Sequence, residues 1–208
     1  MKFLKKFLII SQLAVIIMST YAIAGTTYKY TPLIMDDMMI MIPYKSVTTS
    51  GYTPPSDSLA HTTIVTTSGK TIRVDRTPNG LVFEGYVGKI VLLEVYGSSC
   101  PHCLAAIPEY NKVQAKYPKD IVVITLESYG TLDNAGLQQY VNDHQIRYLT
   151  VAQENTGTMF SFIRTLTGYN RQAVPYLMIF ARDGDNVYDN ILADYPESTI
   201  DTIIQGLL

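Results

Sequence analysis

The strongest constraint in this 208-residue sequence is a continuous apolar run at residues 89–96 (KIVLLEVY) that is followed almost at once by two cysteines. Such a run predicts a strand buried on both faces at the centre of a sheet. Cys100 follows four residues after this run and Cys103 three residues later. The next residues, through 116, have the apolar spacing of a helix, at Leu104, Ile107 and Val113. We therefore expect a buried strand, a short turn and a helix that begins at the cysteine pair.

The surrounding elements predict an α/β fold. A second buried strand at residues 121–127 completes a βαβ unit. Upstream, residues 61–75 predict a β-hairpin that turns at Ser68-Gly69. Downstream we expect a helix capped by Asp133, a strand at 146–151, a helix at 158–166, a hairpin turning at 182–185 and a last helix from about 196 to 207. Residues 61–208 are therefore predicted to form one domain with a central mixed sheet.

The N-terminus has the layout of a secretory signal. Three early lysines precede an apolar run at residues 7–18, and Ala22 and Ala24 have the small-residue spacing of a cleavage site. We predict a signal peptide at residues 1–24. The alternative is an uncleaved membrane anchor formed by residues 7–24. Both alternatives predict a periplasmic or other extracytoplasmic location for the remainder.

Residues 25–60 are predicted to be an arm rather than a domain. Their second half is rich in Thr, Ser, Gly and Pro, as in an extended linker. Within the apolar segment 31–43, Thr31 is a candidate cap for a brief helix with Pro32 at its first position. We expect this segment to pack on its own domain, on a membrane protein or on a second copy in a homodimer. Its methionines, Met35, Met38, Met39 and Met41, leave copper binding as a less favoured alternative.

Charge and cysteine content narrow the function. The formal net charge is −2, with no basic stripe, and this argues against a nucleic-acid partner. Exported proteins often have structural disulfides, but a bridge between the only two cysteines closes too small a loop to stabilise a fold much. A structural role is therefore a poor explanation for the cysteine pair.

The sequence Cys100-Pro101-His102-Cys103 suits thiol chemistry at the start of a helix. The free N–H groups and the dipole of a helix N-terminus favour a thiolate at Cys100, and Pro101 suits the first helical turn. His102 adds a positive or hydrogen-bonding group beside that sulfur. Cys100 is the predicted nucleophile and Cys103 the resolving thiol, so the only redox group is the Cys100–Cys103 disulfide. The alternative is half of a zinc site, but His61 and His144 lack ligand spacing.

The segment VLLEVYGSSCPHCLAAIPEY resembles the active-site strand and helix of thioredoxin-like proteins, and the resemblance extends from about residue 60 to the C-terminus. Pro108 matches the proline that kinks the family's active-site helix. Val174-Pro175 matches the family's cis-proline, which faces the disulfide and binds the partner peptide. The resemblance therefore implies a thioredoxin fold, a cis Val174–Pro175 bond and a substrate site at these two residues.

Two branches of that superfamily are similar to different parts of the chain. The N-terminal hairpin extension and the βα insertion at 132–151 are similar to the TlpA, ResA and CcmG type, which reduces disulfides, often in cytochrome c maturation. Pro101-His102 and the valine before Pro175 are DsbA-like, which implies an oxidant. A strongly stabilised thiolate makes a disulfide more oxidising, so we favour an oxidant or isomerase over a reductant.

Glu94 is the predicted general acid/base. It lies six residues before Cys100, where thioredoxins have a buried Asp and DsbA a Glu, and a buried carboxyl could move the proton of Cys103. The alternative is a strand glutamate that points outward. The family's Trp before the first cysteine is missing, and Ser99 takes its place.

The sequence thus predicts an exported thiol–disulfide oxidoreductase. Its expected partners are substrate proteins with thiols or disulfides and a membrane redox partner. The alternatives from other classes are a copper metallochaperone and a thioredoxin-fold binding module with an inert disulfide.

Overall fold

The computed structural model describes residues 61–171, 173–191 and 197–208, together with the backbone of strands at 21–23, 26–35 and 38–45; the side chains of residues 197–198 are not part of this description. The chain divides into two compact units, Met1–Thr48 and Thr49–Leu208. No helix in the described ranges has the length and apolar character needed to cross a membrane.

The first unit contains a three-stranded antiparallel sheet. Its strands, in spatial order, are β1 (Tyr21–Ile23), β2 (Thr26–Met35) and β3 (Met38–Lys45). The predicted helix capped by Thr31 is wrong, because Thr31 lies within β2 and pairs with Ile42 of β3. β-branched residues favour strands, and Pro32, which pairs with Met41 of β3, lies beyond the part of β2 that β1 pairs with, so one side of β2 is an edge there and tolerates a proline.

Several predictions concern residues outside the described part. Most of the signal segment 1–24 and the linker at 46–60 are among them, and so are the side chains of Met35, Met38, Met39 and Met41. The signal, the homodimer contact through residues 31–43 and the copper alternative therefore stay predictions.

The second unit is built on a five-stranded mixed sheet of order β11-β10-β7-β8-β9. Strands β7, β8 and β9 are parallel, and β10 and β11 add antiparallel strands on the other side of β7. The elements of this unit are β4 (His61–Val65), β5 (Thr71–Arg76), β6 (Leu81–Phe83), β7 (Ile90–Tyr96), α1 (Pro101–Lys116), β8 (Ile121–Glu127), α2 (Asn134–Asp143), β9 (Leu149–Val151), α3 (Met159–Thr167), β10 (Tyr176–Phe180), β11 (Asn186–Ile191) and α4 (Glu197–Leu207). The predicted α/β fold with a central mixed sheet and flanking helices is confirmed.

The central strand β7 separates two layers. All seven of its residues are buried, as the apolar run predicts. Val91, Leu93 and Val95 belong to one core cluster with residues of α3 and of strands β4, β5 and β6, which form a small separate sheet. Since side chains alternate along a strand, Glu94 points to the opposite face, where Tyr110 of α1 interacts with it. Alternation thus directs the one acidic residue of β7 towards α1, the helix that begins next to Cys100.

The N-terminal extension and the insertion also form as expected. Strands β4, β5 and β6 make a separate antiparallel sheet, in which β4 and β5 are the predicted hairpin. Asp133 caps α2 by accepting a hydrogen bond from the Gly136 amide at 2.8 Å. The insertion ends in β9, which pairs with β8 at the edge of the main sheet.

A close backbone contact joins the small sheet to the hairpin of β10 and β11. Gly80 pairs with Asp185, and the Leu81 amide donates to the Gly184 carbonyl at 2.9 Å. A Cβ at position 80 would overlap that carbonyl and lie 2.8 Å from the Asn186 nitrogen. Only glycine permits this approach.

Gly80→Ala is expected to lower the free energy of unfolding by about 2 kcal/mol, because the overlap is with backbone atoms that cannot rotate away. Urea unfolding measures the change. Gly69→Ala is the control: Gly69 has a φ of +82° but no atom within 4 Å of the added carbon, so only the strained φ contributes, about 1 kcal/mol. Equal losses in the two variants would contradict the proposed role of the contact.

Candidate active site

The two cysteines lie at the N-terminus of α1, directly after the central strand. Cys100 is the N-cap, Pro101 occupies the first turn, and no acidic residue lies in that turn. The Cys103 amide donates a hydrogen bond to Cys100 Sγ at 3.3 Å. Cys100 Sγ is thus held by an N–H of the helix N-terminus, a position that favours negative charge on the sulfur.

The two sulfurs differ in access to solvent. Cys100 is partly exposed, whereas Cys103 is 2% exposed, and both are reduced in this structure. Burial raises the pKa of Cys103, and the hydrogen bond with Cys100 and the charge of Glu94 raise it further. In the reduced protein Cys103 therefore keeps its proton, and a base must remove that proton before Cys103 can attack.

Glu94 supplies a titratable carboxyl behind the cysteines. Its side chain is 2% exposed, which contradicts the alternative of an outward-pointing glutamate. Burial raises its pKa from 4.5 to about 8, and the Tyr110 hydroxyl partly opposes this rise. A carboxyl with a pKa near neutral can both accept and release a proton at physiological pH.

Four tyrosines lie within range of the charge of this carboxyl, and the sequence analysis did not single them out. The Tyr96 and Tyr140 rings lie 6.4 Å apart, and those of Tyr110 and Tyr148 5.8 Å. Burial is the main cause of a raised pKa at all four tyrosines, and the charge of Glu94 raises each pKa further. The environment of the carboxyl is therefore polar but uncharged, since the phenols stay protonated.

Spacing offers a signal for two of these tyrosines. Tyr96 lies two residues after Glu94, on the same face of β7, and Tyr110 lies seven residues after Cys103, about two helical turns along α1. Tyr140 and Tyr148 belong to the insertion, whose packing against β7 the sequence does not specify.

The loop before β10 faces Cys100. The Val174–Pro175 peptide bond is cis, and Cys100 Sγ donates to the Val174 carbonyl at 3.8 Å. The Tyr169 hydroxyl donates to the Ala173 carbonyl at 2.6 Å and holds the loop in place. Pro108 lies within α1, as expected.

His102 and Tyr129 lie on the accessible side of the site. His102 is exposed in the first turn of α1. Tyr129, which the sequence analysis missed, follows β8 and is 50% exposed, with its ring against Gly97 at the start of the turn that leads to Cys100. Partial burial is the largest cause of a raised pKa at Tyr129, and the charges of Cys100 and Cys103 contribute further. An aromatic ring therefore lies beside the cysteines although the Trp is absent.

The described residues bring together Glu94 of β7, Cys100 and Cys103 at the start of α1, and Val174 from a loop that is distant in sequence. Within the same residues, no group of three or more His, Cys, Asp or Glu side chains could hold a metal ion. The arrangement supports chemistry at sulfur with a carboxyl that moves a proton.

Solved structures resemble this chain in fold. A secreted Mycobacterium tuberculosis disulfide oxidoreductase homologous to E. coli DsbE superposes with a TM-score of 0.54 at 18% identity, over 73% of this chain and 100% of its own. The exposed lipoprotein thioredoxin of Streptococcus pneumoniae gives 0.54 at 20% identity, over 71% and 100%. A putative thiol:disulfide interchange protein DsbE from Chlorobium tepidum gives 0.51 at 15%, over 71% and 93%. These similarities show a thioredoxin-like fold.

No protein-family model matches the sequence, and no curated protein matches it either. The chemistry of the site is therefore inferred from the geometry of this chain's own residues.

Glu94→Gln is expected to remove a pH dependence of stability. Between pH 4.5 and about 8 the folded carboxyl keeps its proton while the unfolded one loses it, so the free energy of unfolding falls as pH rises, by up to about 1.4 kcal/mol per pH unit. Urea unfolding of the reduced protein at several pH values in this window measures the slope.

The exposed Glu84 provides the matched control, since Glu84→Gln leaves the buried carboxyl unchanged and should keep the slope of the unaltered protein. If the Glu94→Gln and unaltered proteins show parallel pH curves, Glu94 does not carry a raised pKa.

Proposed function

We propose that the chain is a thiol–disulfide oxidoreductase that exchanges disulfides with substrate proteins through Cys100 and Cys103. The observation that carries the proposal is the asymmetry of the pair: an accessible sulfur at a helix N-terminus and a buried one coupled to a buried carboxyl. An inert pair needs neither feature. The thioredoxin-like fold is consistent with this chemistry.

In the oxidising direction, a substrate thiolate attacks Cys100 Sγ of the Cys100–Cys103 disulfide. The S–S bond breaks, a mixed disulfide forms at Cys100, and Cys103 leaves as a thiolate that takes the proton of the Glu94 carboxyl. A second substrate thiolate then attacks the substrate sulfur of the mixed disulfide and releases Cys100 as a thiolate. Two electrons pass from the substrate dithiol to the cysteine pair.

The remaining site residues assist these steps. Pro101 starts the helix in a conformation that leaves its N-terminal amides free for Cys100. His102 adds a donor or a positive group beside the same sulfur. The Val174 carbonyl lies where a substrate backbone would approach Cys100, and Pro175 fixes the course of that loop.

The direction we favour is disulfide donation or isomerisation. The thiolate of Cys100 is supported by the Cys103 amide, by Pro101-His102 and by a first helical turn without an acid. A stable thiolate makes the corresponding disulfide a stronger oxidant. Reoxidation then requires a disulfide-donating partner, for which a membrane protein is the expected source. The signal-like N-terminus supports an extracytoplasmic location.

A second candidate is a reductant of the kind that serves cytochrome c maturation. It is supported by the hairpin extension and the insertion, and by the fold similarity to the putative DsbE from Chlorobium tepidum. Equilibration with glutathione redox buffers separates the candidates: a potential near −120 mV indicates an oxidant and one near about −270 mV a reductant. A pair that does not equilibrate with glutathione is inert, and retention of copper by the reduced thiols would indicate a metallochaperone.

When mixed with a substrate protein that contains a disulfide, Cys103→Ser is expected to accumulate a mixed disulfide: Cys100 attacks one substrate sulfur, the other leaves as a thiolate, and no resolving sulfur remains to release the adduct. Cys100→Ser should lose oxidative refolding activity and form no adduct, since Cys103 is buried. Non-reducing electrophoresis and intact-mass measurement follow both. Ser99→Ala removes a hydroxyl beside Cys100 without altering either sulfur and serves as control. An adduct at Cys103 in place of Cys100 would reverse the assigned roles.

A further inference from the structure

A surface pocket lies beside the loop that carries Val174. We call it the arginine pocket; its lining residues are Phe160, Ser161, Arg164, Tyr169, Asn170 and Arg171. They come from α3 and from the loop between α3 and β10. The mechanism proposed for Cys100 and Cys103 makes no use of this pocket.

The arginine pocket is linked to the reacting sulfur by a short stretch of chain. Arg171 precedes Val174 by three residues, and the Val174 carbonyl lies 3.8 Å from Cys100 Sγ. Three residues of chain span at most about 11 Å. An extended substrate advances about 3.3 Å per residue, so a side chain about three positions from the reacting cysteine can reach the pocket.

The pocket is positively charged on a chain of net charge −2. Residues 155–182 contain three arginines and no Asp, Glu or Lys. Arg182 of this segment pairs with Asp120 at 2.9 Å, whereas Arg164 has no ion pair among the described residues. Glu127 precedes Ser128, whose carbonyl accepts a hydrogen bond from Arg171, and its carboxylate already accepts hydrogen bonds from the amides of Tyr129 and Gly130.

Arg171 is held in place at the pocket. Its guanidinium lies over the Phe160 ring, 4.2 Å from the centroid, and donates a hydrogen bond to the Ser128 carbonyl. Its φ of +68° is rare for a residue with a side chain, and a residue fixed in this way points to a functional constraint. A fixed guanidinium beside the exposed one of Arg164 suits the planar geometry of a carboxylate.

We propose that the arginine pocket binds an Asp or Glu side chain of the substrate protein, about three residues from the cysteine that reacts with Cys100. This inference rests on the proposed oxidoreductase function and adds a substrate class to it: cysteines in acidic sequence surroundings. An ion pair at an accessible site contributes about a fivefold preference at low ionic strength, and salt screens it.

The test measures how fast three peptides reduce the disulfide form of the full chain. Each has one cysteine, and the third residue on either side of it is Glu, Gln or Lys. Neighbouring charges alter the reactivity of a thiol, so each rate is divided by the rate of the same peptide with the neutral 2-hydroxyethyl disulfide. We expect the Glu peptide to exceed the Gln peptide by about fivefold, and the difference to disappear in 0.5 M salt, where the Debye length is below about 8 Å.

Variants at Arg164 separate charge recognition from general damage. Arg164→Gln should remove the preference, and Arg164→Glu should transfer it to the Lys peptide, a reversal that misfolding cannot produce. Arg147→Gln is the control: Arg147 is exposed and precedes β9, at the end of the sheet opposite the cysteines, so the preference should remain.

Equal normalised rates for the three peptides would overturn the arginine pocket as a substrate site and leave the oxidoreductase function intact, because exchange was observed. A preference that survives Arg164→Gln and Arg164→Glu would overturn it as well. If neither the peptides nor glutathione reduces the disulfide, the proposed function fails first and the pocket's role with it.

Discussion

The burial of one carboxyl in the central strand is the constraint on which the rest of the site depends. Removing Glu94 from water makes its ionised form costly, and this cost raises its pKa to about 8. In this buried position its charge also contributes to the raised pKa of Cys103, after the burial of that sulfur and its hydrogen bond with Cys100. A strand of seven buried residues would be more stable with a hydrophobic residue at this position, so the buried carboxyl supports the proposal that Glu94 carries a proton in the chemistry at sulfur.

Four uncharged tyrosine side chains lie within range of the charge of that carboxyl. The tyrosines within range of the Glu94 charge are Tyr96 of β7, Tyr110 of α1, and Tyr140 and Tyr148 of the insertion. Burial raises the pKa of all four, so they stay uncharged. A lysine or arginine in their place would lower the pKa of Glu94 and make it a weaker base. The insertion therefore places two neutral tyrosines within range of the Glu94 carboxyl and also forms the edge of the sheet.

The sequence predicted those parts of the molecule whose local pattern admits one structure. An apolar run followed by a cysteine pair and helical spacing placed β7 and α1 correctly, and the proline at 175 identified the loop that faces Cys100. Thr31-Pro32 was assigned wrongly, because a Thr-Pro pair suits both a helix start and a strand with one free edge. Tyr140, Tyr129 and Arg171 were missed, because their positions depend on how the insertion and the loops pack, which no short-range spacing encodes.

The most direct test of the account is a carbon-13 NMR titration of the Glu94 side-chain carboxyl in the reduced protein, assigned by loss of its signal in Glu94→Gln. The account predicts a midpoint of about 8. A midpoint near 4.5, the ordinary value, would show that the carboxyl is ionised at neutral pH and has no proton to give to Cys103 as that sulfur leaves, and it would contradict the assignment of Glu94 as the proton carrier.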